Sequence, residues 1–348
     1  MRLFENLKRL SDAFGVAGHE DEVRELIREM AQPYVDSCEV DPLGNLICSR
    51  GEGPVVMLDA HMDEVGFLVR WIEKEGFLRI SPLGGWDERL LLGHRVVIRA
   101  RDGGKIKGII GTTPPHILTQ EERKKSVPLE DLFVDVGARS REEVEDMGIR
   151  IGSPLTIHYP CELLREGYAT GKAFDDRAGC AVLVEIIKGG PYPCDLYGVF
   201  TVQEEVGLRG ARVAAYAIEP DVAFVLEGTI CDDMPKKKDV SPTTELGKGP
   251  AITVMDRSFI ADRRLVQLLV DTATELGIPY QFKQPLMGGT DAGAIHKTKM
   301  GVPSAVVSVP SRYIHSPVCL LSKSDFENAV RLMQETLRRL TPATIGKN

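Results

Sequence analysis

Two imidazoles and a set of carboxylates recur in this 348-residue sequence at comparable places, at or just past the end of an apolar run. After "VVMLDA" come His61, Asp63 and Glu64, and after "LYGVFTVQ" come Glu204 and Glu205. Glu227 closes "DVAFVL", His315 follows "AVVSVPSRYI", and Asp175 and Asp176 open the helical run "DRAGCAVLVEII". Open α/β sheets bind ligands beyond the carboxyl ends of their strands. Each residue alone has an ordinary reading. Asp175 or Asp176 fits a helix cap, Glu204 and Glu205 a solvated loop start, Glu227 a strand-end carboxylate, and a lone His61 or His315 a structural histidine. Gathered at one edge of one sheet, two His with several Asp and Glu make a donor set suited to zinc, cobalt or manganese. Neighbours on a strand face opposite ways, so Glu204 and Glu205 are able to do different work.

The elements that must position these groups follow from periodicity. "MRLFENLKRLSDAFG" and "EDEVRELIREMA" carry apolar residues at helical spacing, and "CEVDPLGNLICSRG" reads as a hairpin turning at Pro42 to Asn45. "PVVMLDAHMDEVG" is apolar on both faces, as a central strand of a covered sheet is. From residue 66 the texture changes to short strand-like runs between Gly-rich turns, with "SREEVEDMG" the main helical pattern. From about residue 163 helices and strands alternate again, ending in "SKSDFENAVRLMQETLRRL" with Ser322 or Ser324 as its cap. The expected fold is an α/β domain of residues 1–65 plus 163–348, interrupted by a small β domain of residues 66–162.

Composition narrows the function. The net charge of −8, without a long basic run, is poorly suited to nucleic acid, and Lys236 to Lys238 read as a solvated loop. No apolar stretch approaches the roughly 20 residues of a membrane span, and the first helix lacks the continuous apolar centre of a signal peptide. Seven scattered cysteines without a CxxC pair suggest a reduced, cytoplasmic protein.

Five segments, "HMDEVGF", "AFDDRAG", "VQEEVGLRGA", "GGTDAGAIH" and "GVPSAVVSVPSRYIHSPV", resemble in order and spacing the signatures of the tetrahedral (TET) aminopeptidase and glutamyl aminopeptidase family. The resemblance runs almost end to end. It implies a mixed-sheet α/β/α metallo-exopeptidase domain interrupted by a β-barrel-like domain used in assembly and access. It implies two divalent metals, zinc or cobalt with manganese possible, one bound by His61, the other by His315. Asp175 bridges them, Glu205 and Glu227 each complete one shell, and Glu204 is the general base. Asp63 orients the His61 ring, and Gly289, Thr290 and Asp291 approach the peptide substrate. Many relatives carry Asp where this chain has Glu227, which leaves the metal preference open. The family's common form, dimers assembled into a twelve-subunit tetrahedral shell, implies a homo-oligomer.

Other readings are a deacylase or carboxypeptidase of the same clan, a polysaccharide hydrolase, and a metal-binding scaffold without activity. Glycoside hydrolysis uses two carboxylates and would leave His61, His315 and the bridging Asp175 without a task. A scaffold would have no use for an unligated Glu204. Arg257 is a further candidate for the cleft, whereas His296 reads as structural, and His19, His94, His116 and His158 as non-catalytic.

Overall fold

The computed structural model describes residues 2–235, 242–284 and 288–346, so Lys236 to Lys238 lie outside the described residues. A mixed sheet forms the larger part. Its centre is four parallel strands in the order Asp195–Thr201, Val55–His61, Val222–Ile230 and Ser304–Arg312. Parallel strands have helices over both faces, so both side-chain sets must be apolar. Alternation divides them cleanly. Val56, Leu58, Ala60, Phe224 and Leu226 join one apolar cluster, while Met57, Ala223 and Val225 join another on the opposite face.

The first face is covered by the helices Arg2–Asp12, Asp21–Ala31, Phe174–Lys188, Arg263–Leu276 and Lys323–Arg338. Arg209–Ile218 and Ala292–Ile295 cover the second. Helix Phe174–Lys188 lies almost wholly buried against the sheet. Gly179 permits that approach, since a Cβ there would meet the Leu226 carbonyl at 2.6 Å.

The short strand runs from residue 66 onward close into an antiparallel barrel, in the order Gly66–Ile72, Leu78–Leu83, Phe133–Asp135, Lys105–Gly111, Arg95–Arg99 and Pro154–Ile157. Its apolar core is a separate cluster, drawn from buried residues between Phe67 and Ile157. The next strand, Glu162–Arg165, already belongs to the large sheet.

Two local expectations change. The hairpin Ser37–Val40 with Leu46–Arg50 forms in the expected place, but its turn is organised by Asp41, whose carboxylate accepts the amides of Leu43, Gly44 and Asn45. Ser322 precedes the closing helix without accepting a capping bond. Its hydroxyl pairs with that of Ser324 instead.

Candidate active site

The carboxyl ends of the parallel strands open into a cavity of about 680 Å³. His61, Asp175, Glu204, Glu205, Glu227 and His315 all line it. His61 is the last residue of its strand, and Glu204 and Glu205 follow Thr201 in the loop after the adjacent strand. Glu227 is not at a strand end. Its strand runs on to Ile230, and the carboxylate enters the cavity from within the strand.

Asp175 lies between the two imidazoles. Its Oδ1 is 3.4 Å from His61 Nε2 and its Oδ2 is 3.4 Å from His315 Nε2. Glu227 Oε2 lies 3.8 Å from His61 Nε2, and Glu205 Oε2 lies 3.4 Å from His315 Nε2. Two three-donor groups share the aspartate, His61–Asp175–Glu227 and Asp175–Glu205–His315, and a third joins His61 with Glu204 and Glu205. Donors on a tetrahedral cation about 2.1 Å away stand about 3.4 Å apart, so these separations fit. The buried Glu205 Oε1 and Glu227 Oε1 have no hydrogen-bond partner among the described residues. Buried carboxylate oxygens are costly when unpartnered, and a cation would satisfy both. The residues present therefore fit a pair of bound cations.

The charges make the same point. Burial pushes the Glu204 and Glu227 carboxyls well up, and lifts Glu205 to about 7. Burial also opposes a charged His315, but Asp175 and Glu205 outweigh it and raise that ring to about 9. His61 is raised in the same way against its own burial, by Glu204, Asp175 and Asp63.

Supporting bonds fix each group. Asp63 Oδ1 accepts the amide of Glu204 at 2.9 Å and its Oδ2 the amide of Glu205 at 3.1 Å. His61 Nδ1 donates to the Asp63 carbonyl at 3.1 Å, with Asp63 Oδ1 at 3.4 Å. Of the two aspartates at the helix entry, Asp176 is the cap. It accepts the amides of Gly179 at 2.8 Å and His61 at 3.2 Å, which leaves Asp175 for the cavity.

His315 is held from the barrel side. Its Nδ1 donates to the carbonyl of Gly85 at 3.0 Å. That loop is anchored by Trp86, which stacks on Phe67 at 5.0 Å and donates to the Gly66 carbonyl. Gly84 has a φ of +78°, and a Cβ there would stand 3.3 Å from the Glu205 carboxylate.

The glycine-rich loop divides. Gly289 and Thr290 line the cavity, with the Thr290 hydroxyl donating to Asp256 and its amide to Ser258. Asp291 is fully buried, accepts from the Thr201 hydroxyl at 2.7 Å, and does not line the cavity or cap the short helix after it. Burial, with Asp291 beside it, pushes the Asp59 carboxyl well up. The Arg257 amide donates to Gly288, but its side chain is exposed and outside the cavity lining. His296 donates to the Ala292 carbonyl, away from the cavity. Sequence reading missed Lys283, which lines the cavity at 6 % exposure. No hydrogen bond or ion pair joins its ammonium to any described residue. Lysines are almost never this buried unless paired, and that imbalance is invisible until the cavity is known.

Fold and cluster together define a hydrolase of the exopeptidase kind, and comparison with known proteins agrees. The family model described as M42 glutamyl aminopeptidase matches residues 44–332, and the chain belongs to that family of aminopeptidases. The chain is 38% identical to the putative aminopeptidase FrvX of Escherichia coli, covering 98% of this chain and 97% of that one. It is 35% identical to the lysyl aminopeptidase of Pyrococcus furiosus, covering 97% and 98%. Among solved structures, a TET aminopeptidase from a marine-sediment archaeon of the Thaumarchaeota superposes with a TM-score of 0.95 at 44% identity, covering 99% and 98%. The TET1 peptidase of Pyrococcus horikoshii, which assembles into a tetrahedron or a large octahedral shell, gives 0.88 at 35% identity, covering 97% and 100%.

Proposed function

We propose that this chain is a dinuclear-metal aminopeptidase in which Glu204 is the general base. The observation that carries this reading is Asp175, with one oxygen 3.4 Å from each imidazole. His61 and Glu227 with Asp175 would hold one divalent cation, and His315 and Glu205 with Asp175 the other. The cations are zinc or cobalt, with manganese as the alternative. Bound there, they supply an acidified water and stabilise charge on the scissile carbonyl oxygen.

The remaining work falls to the chain. Glu204 presents Oε2 to the cavity 3.8 Å from His61 Nε2 and belongs to neither three-donor group that shares Asp175. Its Oε2 takes the proton from the attacking water and returns it to the leaving amine. Asp63 is the positioning residue, fixing the amides of Glu204 and Glu205 while holding the His61 ring. Gly289 and Thr290 flank the substrate. Lys283 supports a preference for an acidic first residue over the basic one that the name of the Pyrococcus furiosus relative denotes.

Residues 66–162 form the inserted unit, governing assembly and access, and residues 1–65 with 163–348 form the catalytic unit. The shells formed by the Pyrococcus horikoshii relative support a homo-oligomer, built here of dimers into a tetrahedral dodecamer. The test is Glu204→Gln, assayed on aminoacyl substrates alongside metal analysis. The variant should keep its metal and lose turnover by roughly 10²–10⁴-fold. Wild-type turnover in a fully metallated variant would refute the role of Glu204.

A further inference from the structure

Away from the cavity, one contact brings two nucleophilic side chains together. Cys38 and Cys48 stand directly opposite each other on the antiparallel strands Ser37–Val40 and Leu46–Arg50. Their sulfurs are 2.7 Å apart. Directly opposed residues of such strands have Cα atoms about 4.5–5.5 Å apart, inside the about 4.4–6.8 Å that disulfides span. The other five cysteines are all buried, whereas Cys38 is half-buried and reachable.

The two thiols are also unequal. The contact with Cys48 holds the Cys38 thiol below its ordinary range against the effect of burial, and the nearby Arg28 cation assists. The same contact and burial push Cys48 up. Cys38 is therefore the attacking sulfur and Cys48 the resolving one.

The hairpin carrying this pair braces the catalytic loop. Asn45, at its turn, accepts the Val202 amide at 3.0 Å and donates to the Gly210 carbonyl at 3.1 Å. Those two residues bracket the segment holding Glu204 and Glu205.

We propose that Cys38 and Cys48 are an oxidation site, closed to a disulfide by a peroxide, and that the bond restrains the hairpin bracing the catalytic loop. The Cys38 thiolate attacks one peroxide oxygen, the O–O bond breaks, and hydroxide leaves, giving a sulfenic acid. The Cys48 sulfur then displaces that hydroxyl as the S–S bond forms and the S–O bond breaks. The two thiol protons leave in the products, so two thiols are oxidised by two electrons and one peroxide is reduced to two waters.

The test exposes the intact protein to hydrogen peroxide, then denatures it, titrates thiols and maps the cysteines by mass spectrometry. Wild type should lose two of its seven titratable thiols and yield a linked Cys38–Cys48 peptide that dithiothreitol releases. Under the same exposure Cys38→Ser should lose none, and Cys48→Ser should be oxidised at Cys38 without a link. Amide exchange across residues 37–50 should slow in oxidised wild type and stay unchanged in Cys38→Ser. Seven thiols surviving in wild type, a link to another cysteine, or unchanged exchange in the linked protein would each overturn the proposal.

Discussion

Replacing Glu64 by Gln should loosen the junction between sheet and barrel. Glu64 is 2 % exposed and accepts five hydrogen bonds. Lys172 Nζ donates to both its oxygens at 2.7 and 2.8 Å, Arg177 at 3.3 Å, the Gly15 amide at 3.2 Å, and the Thr156 hydroxyl of the barrel at 2.9 Å. Arg177 also donates to the carbonyls of Met62, Leu10 and Gly15, and Lys172 to that of Ala13, so neither cation can swing out to water. The substitution leaves two buried cations without the carboxylate that both ion-pair with among the described residues, which costs about 3–5 kcal/mol. Unfolding entropy of about 2.1 cal/mol/K per residue near 60 °C over 348 residues is about 0.7 kcal/mol per degree. Calorimetry should therefore show the midpoint of Glu64→Gln about 4–7 °C below wild type. Adding Lys172→Met removes one stranded cation, and the double variant should recover part of the loss. A Glu64→Gln midpoint within about one degree of wild type would refute the view that Glu64 holds this junction by charge.

Other expectations concern the cavity and its surroundings. His61→Ala and His315→Ala should each lower bound metal, measured by elemental analysis, and unchanged stoichiometry would remove them from the donor set. Lys283→Ala should raise KM about tenfold or more for substrates with an acidic first residue and leave apolar ones nearly unchanged, since a charge-assisted bond contributes about 1.5–3 kcal/mol. An equal effect on both substrate classes would count against a selective role. Burial, with Asp63 adding to it, pushes the Glu20 carboxyl from its ordinary 4.5 up to about 7. The folded state binds that proton more tightly, so the associated stability is full below pH 4.5 and fades as pH rises through 7. Glu20→Gln, which can still accept the Gly18 and Gln203 amides, should gain on wild type across that window in denaturant melts. A constant difference would mean that Glu20 does not titrate there.

Much of the site was legible because it depends on local order along strands. His61, Glu204, Glu205 and His315 follow apolar runs whose parallel pairing places their ends on one edge. Glu227 misleads slightly, because a buried strand continues through "EGTI" and nothing local marks where the cavity floor meets it. Asp175 and Asp176 are adjacent and chemically identical, and only the partners of each separate the helix cap from the carboxylate that lines the cavity. Contacts between distant segments could not be read. The hold of Asp256 on Thr290 spans 34 residues and that of Thr201 on Asp291 spans 90. Lys283 lies on a short strand whose polar end gives no hint of the cavity it enters. The barrel strands announced themselves by Gly-rich turns, but closure depends on Gly66–Ile72 pairing with Pro154–Ile157, some eighty residues on.

The bond from His315 to Gly85 has a consequence for how the two parts of the chain communicate. A carbonyl only accepts, so Nδ1 must carry a proton, and Nε2 is the nitrogen that faces Asp175 and Glu205 across the cavity. The partner is main chain, and a Cβ added at Gly85 would stand 3.4 Å from His315 Nδ1, so a small side chain there need not abolish it. Moving the loop would. The barrel thus grips the chemistry by position rather than by residue identity, and a neighbour pressing on that loop would act as a mechanical input to the imidazole's tautomer.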